Sequence, residues 1–264
     1  MLAVEGHGHP PPIRSHAMRT AQQIASALRE RIASGEFAPG ALLPSERELI
    51  AEYGAAKNTV AKALSMLRAD GLLVSQIGRG NFVRKIKRLR RDGTSRHLRS
   101  QRPEATSPLE AEVQEQGFRR ELELREVALT PAPPDIAEML SVEPGEPLIV
   151  RRHLITIDGT PAQTADSYFP ASQVAGSRIG RPEVIPGGVH SELAAVLGRP
   201  LGNAVETLIA RMPTPDETVM LQLPPGTPVV ELVRVIRSEG SPVEVTHFLF
   251  DAARHEFAYE VPVD

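Results

Sequence analysis

Four residues near the start of the chain, Lys57, Asn58, Thr59 and Lys62, have the types and the spacing to read nucleic acid. In "AAKNTVAKALSMLRADG" the apolar positions Val60, Leu64 and Leu67 share one helical face, and Gly71 stands where the helix should close. The four polar residues therefore fall at the amino end of that helix on its outward side. A helix laid in the major groove needs hydrogen-bond donors there for base edges and phosphates. Further on, Arg79 sits between Gly78 and Gly80 at the bend of "LLVSQIGRGNFVRK", a pair of short β runs. From such a tip it can reach a phosphate or a minor groove.

The segments before these residues are suited to hold them. "TAQQIASALRERIASGEF" opens at Thr20, places Ile24, Leu28 and Ile32 on one stripe, and reaches a stop at Gly35. "LPSERELIAEY" offers Ser45 and Glu48 as a capping box for a second helix, and Gly54 gives the turn into the third. Three helices followed by a hairpin describe a winged helix-turn-helix. Beyond the wing, residues 84–102 carry nine Lys and Arg against one acid, which predicts a flexible linker that adds phosphate contacts.

Charge divides the chain in the same place. Residues 1–102 hold 18 Lys and Arg against 8 Asp and Glu, whereas residues 103–264 hold 12 against 25. Polyanion binding thus belongs to the first part and some other task to the second. There is no cysteine, so disulfides and thiolate metal sites are excluded. No apolar run approaches the roughly 18–20 residues of a membrane span, and the His-, Gly- and Pro-rich start is not a signal peptide, so the expectation is a cytoplasmic protein. The organisation predicted is a disordered leader over 1–17, a DNA-binding domain over 18–85, a basic linker over 86–104 and a second domain over 105–264.

The acidic part repeats itself. Residues 134–169 and 215–250 align without a gap over 36 positions with 11 identities, many of them Pro and Gly that fix backbone shape. Each copy reads as helix, Pro-Gly turn, strand, Gly turn, strand. The second copy opens on Thr214-Pro215-Asp216-Glu217, a capping box with Pro at the first helical position. Between the copies, "HSELAAVL" reads as a short helix and "NAVETLIARM" as a strand; before them "RRELELREVAL" alternates as a one-faced strand, and "HEFAYEVPV" alternates Phe257, Tyr259 and Val261 at the end. The fold class is α/β in the α+β sense, with a mostly antiparallel sheet built from two related units and helices on one face.

"LPSERELIAEYG", "NTVAKALSMLRADGLL" and "GRGNFV" resemble the winged helix-turn-helix of GntR-type bacterial transcription regulators over residues 18–84. The resemblance implies that Arg47, Lys57, Asn58, Thr59, Lys62, Arg79 and Gly80 lie on double-stranded DNA. Two positions depart from the pattern: Ala56 stands where a Ser or Thr usually caps the recognition helix, and Ala61 where a basic residue often follows. "IDGTPAQTADSYFP", "PGGVHSEL", "IARMPTPDE" and "EGSPVEV" resemble the UTRA ligand-sensing domain of the HutC subgroup, similar in fold to chorismate lyase, over 105–262. That likeness implies a small-molecule effector bound by His190 and Glu244, by the backbone at Gly187 and Gly188, and by His153 on the strand that is Arg-rich in phosphosugar-responsive members. Here Arg151 and Arg152 are displaced and a Glu of the matched strand is Ala165, which sets a phosphosugar in doubt.

No "GxSxG" elbow, Walker loop or helical His pair with a carboxylate partner occurs, and His7 and His9 of the leader lack companion ligands, so neither catalysis, metal nor cofactor is expected. The sequence predicts a homodimeric repressor that leaves a pseudopalindromic operator when an effector binds. The alternative is a constitutive DNA-binding protein whose second domain only dimerises.

Overall fold

A computed structural model describes residues 20–93, 107–261 and 263. The predicted leader and the later part of the predicted linker lie outside them. The chain divides into two compact units, Met1–Lys85 and Ile86–Asp264. No helix among the described residues is long and apolar enough to cross a membrane.

In the first unit, α1 (Ala21–Ala33) begins at a capping box formed by Thr20 and Gln23, and α2 (Glu46–Tyr53) at one formed by Ser45 and Glu48. The chain leaves α2 through Gly54 at φ 60, a left-handed turn that costs glycine nothing, and enters α3 (Lys57–Ala69). Ile24, Leu28, Leu49, Val60, Leu64 and Leu67 are fully buried together, so the two apolar stripes read from the sequence meet in one core with Leu49 of α2. β1 (Leu73–Gln76) and β2 (Gly80–Val83) pair antiparallel as the wing.

The second unit is built on a six-stranded antiparallel sheet in the order β4-β5-β6-β9-β8-β7. The strands are β4 (Arg120–Pro131), β5 (Pro147–Ile157), β6 (Thr160–Pro170), β7 (Ala204–Arg211), β8 (Val229–Ser238) and β9 (Ser241–Asp251). Helices α5 (Pro134–Leu140) and α8 (Pro215–Met220) open the two repeats, while α6 (Ala171–Val174) and α7 (Val189–Leu197) lie between them. The sequence repeat is a structural duplication. The same offset carries the β6–β9 pair Thr164 and Leu249 onto the pair Val245 and Tyr168, as a local two-fold axis through Asp166 and His247 requires. Both hairpins even share a register shift at equivalent points, after Ile155 in one and after Ile236 in the other.

Two features differ from expectation. Residues 86–93 are not a flexible linker: β3 (Leu89–Asp92) pairs in parallel with β10 (His255–Ala258), and both Leu89 and Arg91 are buried. A run of basic residues packs here because each inward group has an acceptor, as the site shows. The strand expected to close the chain stops at Ala258, so Tyr259 and Val261 stand outside it. Helix α4 (Pro108–Glu115), which sequence reading passed over, begins at Ser107 capping Glu110 with Pro108 at the first helical position.

Candidate functional site

The first unit presents the residues expected on DNA. The buried face of α3 fixes its rotation, which leaves Lys57, Asn58 and Lys62 exposed and Thr59 half-buried. Arg47 on α2 and Arg79 and Gly80 in the wing bend are exposed as well. The Arg79 guanidinium lies 5.5 Å over the Phe82 ring, which holds the side chain at the tip without using its donors. One residue missed in the sequence, Arg68 near the end of α3, donates to Ser75 Oγ at 3.2 Å and to Asn81 Oδ1 at 3.0 Å, tying the helix to both strands of the wing. Its position in the last turn facing the hairpin was the available signal.

Ala56 caps α3 without a side-chain hydrogen bond. Ala56→Ser is therefore expected to stabilise the first unit by about 0.5–2 kcal/mol, read as a higher midpoint in chemical denaturation. An unchanged or lower midpoint would show that the amino end of α3 is already satisfied.

The second unit holds a cavity of about 600 Å³, which His153 of β5, Gly187, Gly188 at the amino end of α7, His190 of α7 and Glu244 of β9 all line. Folding thus brings together every residue that the sequence resemblance placed near an effector. Glu244 is fully buried; its Oε1 accepts from the Thr246 hydroxyl at 2.6 Å, and its Oε2 lies 3.1 Å from His190 Nε2. Burial alone would raise this carboxyl, but His190, Arg234 and Thr246 outweigh it and hold it down to about 2. Glu244 is an anion at neutral pH. Burial, with Arg151 nearby, instead pushes His153 down to about 4, so that imidazole is neutral.

Arg151 also lines the cavity, yet its guanidinium donates to the carbonyls of Ile179 at 2.8 Å, Arg181 at 2.9 Å and Glu183 at 2.7 Å. It shapes the wall over the 3-10 turn at Arg178–Gly180. Arg152 pairs with Glu126 and Asp166 and is not among the lining residues.

Among the polar lining residues missed are Arg91, Gln163 and Arg234. Arg91 of β3 donates from Nε to Glu112 Oε2 and from a terminal nitrogen to Gln163 Oε1, both at 2.8 Å. Arg234 of β8 lies 3.8 Å from Glu206 and 4.7 Å over the Phe248 ring. The repeat itself carried a signal for two of them, since its offset maps His153 onto Arg234 and Gln163 onto Glu244. The duplicated hairpins therefore supply a neutral pair and a charged pair to one space.

Two family models match this chain: bacterial regulatory proteins of the gntR family over residues 20–83, and the UTRA domain over residues 115–256. The chain belongs to the GntR family and carries a UTRA domain. Among relatives of this GntR protein, an HTH-type transcriptional regulator of Rhizobium meliloti is 33% identical over 240 residues, covering 90% of this chain and 93% of the relative. The histidine utilization repressor of Pseudomonas putida is 25% identical over 233 residues, 88% of each chain. A crystal structure described as a GntR-family transcriptional regulator superposes with TM-score 0.64 at 26% identity, over 94% of this chain and all of that one.

Proposed function

We propose that this GntR-family protein is a homodimeric, sequence-specific transcription repressor, released from its operator by a small molecule held in the UTRA cavity. The observation that carries the reading is the amino-terminal turn of α3, where Lys57, Asn58 and Lys62 face solvent while Val60, Ala63, Leu64 and Leu67 are fully buried behind them. Arg47, Thr59, Arg79 and Gly80 extend the same DNA-reading role. The cavity lies in the 300–1,000 Å³ range of small-molecule sites and mixes an apolar wall with a few convergent polar groups. His153, Gly188, His190 and Glu244 are its effector contacts in this reading. The repressor sign is supported by the Pseudomonas putida relative, whose name gives it that role.

Two recognition helices reading two half-sites require two copies, and the sheet offers a place to join them. Its edge strand β4 interleaves charges from Arg120 to Glu126, which discourages pairing there. The opposite edge, β7, exposes Val205, Leu208 and Ile209 instead. Ile209→Glu is expected to yield a monomer by light scattering and to weaken operator binding at least about tenfold, because two linked half-sites bind more tightly than one. A dimeric Ile209→Glu protein would place the interface elsewhere.

The decisive experiment selects genomic fragments with the purified full chain and repeats the selection with a metabolite panel. Enrichment of a short two-fold site, released by one compound, is the expected result; a coupling of about 1–3 kcal/mol would lower operator affinity roughly 5–150-fold. Absence of any enriched site would overturn the reading of α3.

A further inference from the structure

The three guanidinium groups that line the cavity are each already matched. Arg151 is turned onto the backbone carbonyls between Ile179 and Glu183, Arg91 onto Glu112 and Gln163, and Arg234 towards Glu206 with its face over Phe248. Two of the three thus face carboxylates, Glu112 and Glu206, the third faces only carbonyls, and Glu244 adds a negative charge to the wall beside His190. A phosphate brings a charge of about −1.5 to −2 and needs cations of its own.

The other place where an anion would settle is the amino end of α7, which opens on the cavity at Gly188 and has no side-chain cap. Glu244 already stands there. Its carboxylate reaches His190 in the first turn of α7, with Oε2 3.1 Å from Nε2, and is 1% exposed. A fixed negative charge beside the helix end disfavours a second one.

We infer that the effector of this cavity carries no phosphate and no net charge, being uncharged or zwitterionic, with its apolar part on Ile155, Ile236 and Phe248. This rests on the reading of the cavity as the effector site. The neutral His153 fits the same class, since it adds no cation to the wall.

The test is equilibrium dialysis of the full chain against inorganic phosphate at constant ionic strength. The wild-type protein is expected to show no saturable binding up to about 10 mM, a level far weaker than a specific site provides. Glu244→Gln keeps the shape, removes the negative charge beside α7, and is expected to bind phosphate at least about tenfold more tightly, the effect of a shift of about 1.4 kcal/mol. Should circular dichroism show that Glu244→Gln does not fold, Glu112→Gln, which removes the negative charge facing Arg91, carries the same expectation. Saturable wild-type phosphate binding below about 10 mM, or a folded variant that binds no better than wild type, would overturn the inference. Either result leaves the sensor reading standing, because that reading is decided by operator release.

Discussion

Arg91→Ala is expected to lower the stability of the second unit by about 3–5 kcal/mol, because it strands a buried carboxylate. Glu112 has a side chain only 10% exposed, and its two oxygens accept from Arg91 Nε at 2.8 Å and from the Asp92 amide at 3.0 Å. Gln163, 1% exposed, would lose its partner at the same time. Glu112 keeps only the Asp92 amide and Gln163 loses its arginine donor, so part of the desolvation of each is left uncompensated. The loss should also loosen β3, since of its two inward residues only Leu89 would still be held in the core. Arg90→Ala is the control: its neighbour on β3 is exposed and sits 3.5 Å from the exposed Glu256, a contact worth at most about 1 kcal/mol. Urea denaturation of both full-length variants, followed by circular dichroism, makes the comparison. Equal midpoints for Arg91→Ala and Arg90→Ala would show that the buried pair adds nothing to stability.

The second large effect belongs to DNA. Asn58→Ala and Arg79→Ala are each expected to weaken operator binding by about 1–3 kcal/mol, roughly 5–150-fold, if their side chains meet base edges or the minor groove. Lys57→Ala and Lys62→Ala act differently. Removing a phosphate contact should weaken binding to all sequences alike and reduce the slope of log affinity against log salt by about 0.9 for each lysine. All four side chains are exposed, so the variants should fold as the wild-type protein does. Fluorescence anisotropy with an operator fragment over a salt series separates the two classes. A Lys57→Ala, Arg79→Ala double variant that binds within about threefold of wild type near 0.15 M salt would remove α3 and the wing from the interface.

The limits of sequence reading are clearest where the two effects meet. Helix α3 was legible because its signals are local: apolar residues three and four apart decide which side is buried, and the side left over is the functional one. Arg91 was not legible. Seven positions separate it from Arg84, within a run whose composition argues for solvent, yet its partners Glu112 and Gln163 lie 21 and 72 positions away. Arg151 shows the same limit from the other side. Its strand was recognised, but the carbonyls that claim its guanidinium belong to a loop nearly thirty residues on, with no motif to announce it.

The sequence by itself determined the helix starts at Thr20 and Ser45, the outward set on α3, the charge division between the two parts and the duplication of residues 134–169 in 215–250. Each of these is written within a few residues, in caps and periodicity, or within a repeat that can be aligned with itself. Only the tertiary structure decided which buried charges are matched: that Arg91 is drawn onto Glu112, that Arg151 faces carbonyls, and that Glu244 stands beside the open end of α7. Desolvation makes every buried charge depend on what surrounds it in space, and those surroundings exist only once β6 has paired with β9 and α7 has closed over the sheet.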